Sequence, residues 1–302
     1  MVGPDSGYRR GLNSLLGKLR LGPTQAEKLG VKPGIQQSPL LELCCQRMSA
    51  KASYRQAARD INLLSGVSVS AKTQERIVNR TPIEAPDIAE PVAEVDLDGG
   101  MVRLVSDPGQ PSEWKQYKAV RVNGDGPGMA WFQDNAALLD WLHHLTFLSL
   151  FYCLGDGHAG IWSLFAQLEV PQIAEEILDW YHLIENLHKV GGSLKRLQEA
   201  ESLLWEGKVD QTIALFAPVE TAPSRRFQTY LQTHRSRIPN YRYYQMEGIP
   251  IGSGPVESWI KQIDERVKIT GARWKSERVP QILALRCAYL SGRLDLFSPP
   301  KV

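Results

Sequence analysis

The chain reads as an α/β protein with a small helical region in front of it, and three features of the sequence predict this class. Apolar residues recur at helical spacing up to about position 80, and after the proline-rich stretch 82–91 the period falls towards two. Strand-like runs then give way to an Asp-Gly pair twice, at Asp98-Gly99 and at Asp156-Gly157. From Leu183 to about Phe216 the helical period returns, so a long helical segment interrupts the α/β part.

Taken in order, residues 1–81 form the helical region. Within it 53–65 predicts a helix: Ser53 and Gln56 make a capping box, Tyr54, Ala57, Ala58, Ile61 and Leu64 form one apolar stripe, and Gly66 stops it. A second helix, about 70–80, carries Lys72, Arg76 and Arg80. Two helices across a tight Ser-Gly turn make 53–80 a candidate helix-turn-helix that reads DNA, and an ordinary helical hairpin is the plainer account of the same spacing. Residues 82–91 (PIEAPDIAEP) have the composition of a linker. Beyond it 94–97, 101–105 and 117–122 read as three strands of a small antiparallel meander, with Asp98-Gly99-Gly100 as its first tight turn. A helix over about 135–148, a buried strand over 148–154, a helix over 159–168 and a short strand over 177–180 follow. A helical insertion over about 183–240 and a helix entered through Gly252-Ser253-Gly254-Pro255 complete a domain spanning 92–293, and 294–302 is left as a tail.

Composition bounds what such a protein does. A length of 302 residues with 43% hydrophobic content is ample for a buried core. No run approaches the roughly 18 apolar residues of a membrane span, and the opening Met-Val-Gly-Pro-Asp-Ser lacks the regions of a signal peptide, so a cytoplasmic protein with no membrane partner is expected. Cys44, Cys45, Cys153 and Cys287 fit neither a paired zinc motif nor a disulfide framework and are expected as reduced thiols. The net charge of +2 says little about nucleic acid, but its distribution says more: 266–286 holds Arg266, Lys268, Arg273, Lys275, Arg278 and Arg286 against Glu277 alone. That stretch is built to meet an anion.

Three acids stand out by position: Asp98 and Asp156 at strand ends, and Glu257 at the start of a helix. Functional groups gather at the carboxyl ends of strands in open α/β sheets. Carboxylates collected there repel one another unless a cation neutralises them, and hard oxygen donors suit Mg²⁺ or Mn²⁺. Each acid also has a plainer account. Aspartate before glycine is ordinary turn chemistry. With Gly254 as N-cap, Glu257 falls at the third helical position, where the helix dipole favours a carboxylate, and Lys261 one turn on offers it an ion pair. The combination favours a site, because the next helix turns alternate Val256, Ile260, Ile263 and Val267 with Glu257, Lys261, Glu265 and Lys268 on another face.

The stretches VDLDGGMVRL, LGDGHAGIW, ILDWYHLIENL and IGSGPVESWIKQIDERVKITGARWKSERVPQILALR together resemble the DDE insertion-sequence transposases of the ISKra group, relatives of the Mutator-like elements, over about 54–293. The last stretch, with Gly-Ser-Gly-Pro-x-Glu and Arg-x-Lys-x-x-Gly-x-x-Trp, is the most specific of them. The resemblance implies an RNase H-like (retroviral-integrase-type) core with a helical insertion. It implies Asp98, Asp156 and Glu257 as catalytic metal ligands, and Asp179 and His182 as supporting residues in an Asp-x-x-His signature. Arg266, Lys268, Arg273, Trp274 and Lys275 would line the DNA path, where a solvated basic face is the plainer account. Family members usually carry a longer amino-terminal region, so end-recognition elements are expected beyond this sequence.

The implied reaction is in-line displacement at a DNA phosphodiester with two divalent ions, Mg²⁺ or Mn²⁺. Asp98 and Asp156 would share one and Asp98 and Glu257 the other. The implied partners are the element's inverted-repeat ends, target DNA and further copies of the chain on that DNA, in a nucleoid setting. Asp96 competes with Asp98 for the first position, because strand alternation puts both on one face. Two rivals are a truncated, non-catalytic DNA-binding remnant and a haloacid-dehalogenase-like phosphatase. The phosphatase reading meets a Gly at position 100 where it needs Thr or Ser, and it leaves Glu257 unexplained.

Overall fold

The computed structural model describes residues 10–29, 31 and 34–295, so the tail expected over 294–302 lies outside the described residues from 296 on. The chain forms two compact units. A helical unit takes residues up to 84, 102–114 and from 262 on; a sheet unit takes 85–101 and 115–261.

The helical unit opens with a hairpin, β1 (Arg10–Ser14) and β2 (Gly17–Leu21), which the reading of 1–81 as helical missed. Its Leu12 and Leu21 pack with Ala26 of α1 (Pro23–Lys28) and with Val31. Helices α2 (Pro39–Lys51), α3 (Tyr54–Ser65) and α4 (Ala71–Arg80) follow. Each begins at a serine whose hydroxyl accepts a first-turn N–H: Ser38 from Leu41, Ser53 from Gln56 and Ser70 from Thr73. Leu41, Cys45, Ile61, Val69 and Ile77 close the core among them. Leu64, expected on the inner stripe of α3, is exposed.

The sheet unit is a mixed α/β layer. Strands β3 (Val92–Arg103), β4 (Trp114–Val122), β5 (Gly128–Phe132), β6 (Phe147–Gly155) and β7 (Ile173–Leu178) lie in the order β5-β4-β3-β6-β7. β4 and β5 are antiparallel, whereas β3, β6 and β7 run parallel. Helices α5 (Asn135–His143) and α6 (Ala159–Phe165) flank β6 in the chain. Val95, Leu97, Phe151, Cys153, Leu154 and Ile177 are buried at the centre of its core.

The Asp98-Gly99-Gly100 turn is corrected: β3 runs unbroken through it, and 101–103 continue the same strand rather than starting another. Neither glycine has a positive φ. They are there for space, since a Cβ on Gly100 would collide with the buried Tyr117 ring of β4. The short strand expected over 177–180 also ends earlier, because Asp179 is the N-cap of the next helix.

The helical insertion is broken into α7 (Trp180–His188), α8 (Leu194–Trp205), α9 (Val209–Phe216), α10 (Ala222–Thr233) and α11 (Tyr241–Met246). Trp180 sits between Trp205 and Tyr241, with ring centroids 4.7 and 4.9 Å away. The Tyr241 hydroxyl donates to the Leu178 carbonyl at 2.7 Å, which pins the insertion to β7. Helix α12 (Gly254–Val267) then buries Val256, Ile260, Ile263 and Val267 as its sequence requires, and α13 (Val279–Leu290) ends the described fold. No helix among the described residues is long and apolar enough to cross a membrane, and all four cysteines are free thiols.

Candidate metal centre

Three aspartates follow the paired parts of the parallel strands. Asp96 pairs with Leu154 and Leu154 with Ile177, and Asp98, Asp156 and Asp179 each come two places further on, Asp98 within β3 and the other two just past the ends of β6 and β7. Ligands bind in parallel sheets at this edge, where the strands end and the backbone turns away.

Asp98 is half-buried, and its Oδ1 accepts the Gly99 N–H at 2.5 Å. Burial is the largest influence on its carboxyl, and with the charges of Asp156 and Glu257 it raises the pKa to about 6. Asp156 Oδ1 accepts the His158 N–H at 2.8 Å in the turn after β6. Gly157 in that turn has φ 90°, and a Cβ there would lie 2.6 Å from the Tyr230 hydroxyl of α10.

Asp179 is fully buried and does two jobs with one carboxylate. Oδ1 caps α7 by accepting the His182 N–H at 2.7 Å; Oδ2 accepts both the N–H of Ser253 and its hydroxyl, the latter at 2.8 Å. Ser253 in turn starts α12, its carbonyl accepting the Glu257 N–H at 3.0 Å. One buried carboxylate therefore ties the first turn of α7 to the first turn of α12. Burial alone would raise its pKa, but the hydrogen bonds from His182 and Ser253 hold it below the usual carboxylate range.

His182 carries this link to Glu257. Its Nδ1 lies 3.2 Å from Asp179 Oδ1 and 3.5 Å from Glu257 Oε1. Asp179 above all, with Glu257 and Asp156 behind it, raises the imidazole pKa to about 9. Glu257 also meets Lys261 at 3.5 Å, the ion pair expected from the one-turn spacing. Ser253, not Gly254, caps α12, so Glu257 stands one position deeper than the third.

Ligand atoms of Asp179, His182 and Glu257 all lie within 4.8 Å of one another, a group that can hold a metal ion. Asp98 and Asp156 are outside that tight group, although Asp98 feels both Asp156 and Glu257. The carboxylates of Asp98, Asp156 and Glu257 are hard oxygen donors that suit a divalent cation, and the charges of Asp156 and Glu257, behind burial, help to raise the pKa of Asp98. The residues present fit a metal.

Asp96 is different. It is fully buried, both carboxylate oxygens lack a hydrogen-bond partner, and burial followed by the neighbouring Glu94 pushes its pKa well above the usual range.

Some residues of this neighbourhood went unread in the sequence. Lys118 of β4 is buried and within electrostatic reach of Asp98 and Asp156, and burial lowers its pKa. Arg121 donates to the Pro255 carbonyl at 3.3 Å and stacks on Trp259, steadying the start of α12. His234, after α10, lies near Asp156, and burial followed by Arg237 lowers its pKa. The insertion brings in Tyr230 and His234 from far along the chain, which no local spacing reveals.

The basic stretch is placed unevenly in the helical unit. Arg266 is buried, its Nε donating to the Ser49 carbonyl at 2.5 Å, and Trp274 is buried with its Nε1 donating to Val267 at 2.8 Å. Lys268 pairs with Asp264 at 2.6 Å, and Arg273 and Lys275 are exposed. Arg286 is buried against the carbonyls of Gln262 and Ala50. Compared with known proteins, the chain matches no family model and no curated protein.

Proposed function

We propose that the chain is a DDE-type transposase that cuts and rejoins DNA at a metal centre built from Asp98, Asp156 and Glu257. The observation that carries this reading is that Asp98 within β3, Asp156 just past β6 and Asp179 just past β7 each follow by two places the paired residues Asp96, Leu154 and Ile177, with Glu257 grouped with Asp179 and His182. A five-stranded mixed sheet, an aspartate in β3 and one just past the end of each of β6 and β7, a helical insertion and then a glutamate on a helix also suit an RNase H-like core. The buried, partnerless Asp96 counts against a phosphatase that would use it as nucleophile.

Two divalent ions, Mg²⁺ or Mn²⁺, when bound by Asp98, Asp156 and Glu257, would supply charge neutralisation at the phosphodiester and acidify the attacking hydroxyl. The chain's own groups do the positioning. Asp179 fixes the entry of α12, and His182 holds the Glu257 carboxylate by charge. Lys118 offsets part of the repulsion between Asp98 and Asp156. Exposed Arg273 and Lys275 meet DNA phosphates, and two ends brought together call for more than one copy of the chain.

Calorimetry with Mn²⁺ tests the centre. Asp98→Asn and Glu257→Gln should each weaken binding by about tenfold or more, while Asp96→Asn binds as wild type. Undiminished binding in the first two would remove them from the centre, and a loss confined to Asp96→Asn would move the first ligand there.

A further inference from the structure

The turn that carries Asp156 is enclosed from two sides within the sheet unit. Residues 155–158 leave β6 and enter α6, and they have little room there. A Cβ on Gly155 would lie 2.8 Å from the Ile161 side chain and 3.3 Å from the Trp162 ring. On the other side stands α10 of the insertion. A Cβ on Gly157 would lie 2.6 Å from Oη and 3.1 Å from Cε2 of Tyr230, so the phenol ring rests against the Gly157 backbone. Gly157 holds a φ of 90°, so both the bend and the close ring require glycine. Within this turn Asp156 Oδ1 accepts the His158 N–H at 2.8 Å, which ties the direction of the carboxylate to the path of the backbone.

His234 closes the same side. It ends α10, is 4% exposed, and its imidazole packs on the Tyr230 ring with centroids 4.6 Å apart. The ring also faces the backbone of Gly157, which favours a proton on the imidazole, and a carbonyl is the backbone group that accepts one. The imidazole is itself held from behind. Arg237 has its Nη1 3.5 Å from His234 Nδ1, pairs through Nε with Glu176 of β7 at 2.5 Å and lies over the Trp162 ring at 4.4 Å.

We propose that Tyr230 and His234 are positioning residues for Asp156, so that the helical insertion sets one acid of the metal centre. The proposal rests on Asp156 being a metal ligand. Groups that orient a ligand from behind change metal affinity when removed, although they never touch the ion. Tyr230 blocks the turn from moving outward, and His234 fixes the Gly157 peptide that follows the acid.

The test uses the full chain with His234→Leu, which keeps bulk and loses the donor, and His234→Gln, which keeps a donor. Amide exchange is followed first, in EDTA. His234→Leu should speed exchange at His158, whose N–H is bound by Asp156, by about tenfold, while the amides of β6 stay protected. His234→Gln should restore most of the protection. Tyr230→Leu should act as His234→Leu does, and no effect would remove Tyr230 from the pair. Calorimetry with Mn²⁺ follows. His234→Leu should weaken binding by about tenfold. Added to Asp156→Asn it should cost nothing more, whereas added to Asp98→Asn it should weaken binding further. A side chain that merely packs would show no such dependence on Asp156. Unchanged exchange at His158, or a further loss in the Asp156→Asn chain, overturns the positioning role. Faster exchange at His158 in a protein whose wild type binds no Mn²⁺ keeps the hold on the turn and overturns its link to a metal centre.

Discussion

Asp98 and His182 both hold their protons more tightly in the folded protein than in the unfolded chain, for opposite reasons. Asp98 is crowded by burial and by other acids, which takes its pKa from 3.8 to about 6; His182 is drawn up from 6.5 to about 9 by Asp179. A raised folded pKa gives stability that is present below the unfolded value and lost as pH rises through the folded one. Metal-free wild type should therefore lose stability between about pH 4 and 6 through Asp98, and again between about pH 6.5 and 9 through His182. Urea unfolding in EDTA checks both windows. Asp98→Asn should flatten the first and be more stable than wild type at pH 7, and His182→Gln should flatten the second. An unchanged pH profile in either variant would remove its residue from the balance. At this scale the sequence was partly legible. The resemblance singled out Asp179 and His182, but Asp179 was expected inside a strand over 177–180, and its capping of the His182 N–H was not read. Asp96 and Asp98 share a strand face in the sequence, and only burial distinguishes them.

Elements place these residues, and β3 and α12 place the most. The period of α12 was fully legible, because Val256, Ile260, Ile263 and Val267 face inward as their spacing demands. That of β3 was not, since Gly99-Gly100 reads locally as a turn and serves instead to admit the Tyr117 side chain. Gly100→Ala should then destabilise by about 1–3 kcal/mol in denaturant unfolding, and Tyr117→Leu in the same chain should recover part of it. No recovery would mean that the backbone, not the ring, demands glycine. The Asp179 link could not be read at all, because it joins β7 to residues across the whole insertion. Asp179→Ala strips the acceptor from Ser253 and from the first turn of α7, at about 3 kcal/mol. It should also weaken Mn²⁺ binding more than Asp179→Asn, which keeps one acceptor oxygen. Equal effects of the two variants would contradict a positioning role.

At the scale of the whole molecule, the chain first passes from one compact unit to the other between Glu84 and Ala85, within the stretch 82–91 where the period changes. What the sequence hides is the return of 102–114 and 262–295 to the helical unit. Polar side chains make that return with backbone partners remote in sequence. Gln281 donates to the carbonyls of Val78 and Thr81, Arg266 to Ser49 and Arg286 to Ala50. Removing residues 1–84 should leave the amides of α13 exchanging with solvent almost as fast as in an unfolded chain, while those of β6 stay protected. Protected α13 amides in that truncated chain would show that the helix is stable alone. The insertion was expected over about 183–240, its helices run from Trp180 to Met246, and breaks at Gly191-Gly192 and Gly207 divide what the period suggested was one long segment. The central claim, a metal-dependent DNA-cutting centre, is tested most directly by Glu257→Gln. Strand cleavage and joining are measured with Mn²⁺ on a duplex carrying the DNA that flanks the gene, beside thermal melting and duplex binding of both proteins. Wild type should cut and join. The variant should bind the duplex equally, fold within about 1 kcal/mol of wild type and leave the DNA intact, because a neutral amide cannot offset a divalent ion. A Glu257→Gln protein that cuts at the wild-type rate would contradict the account.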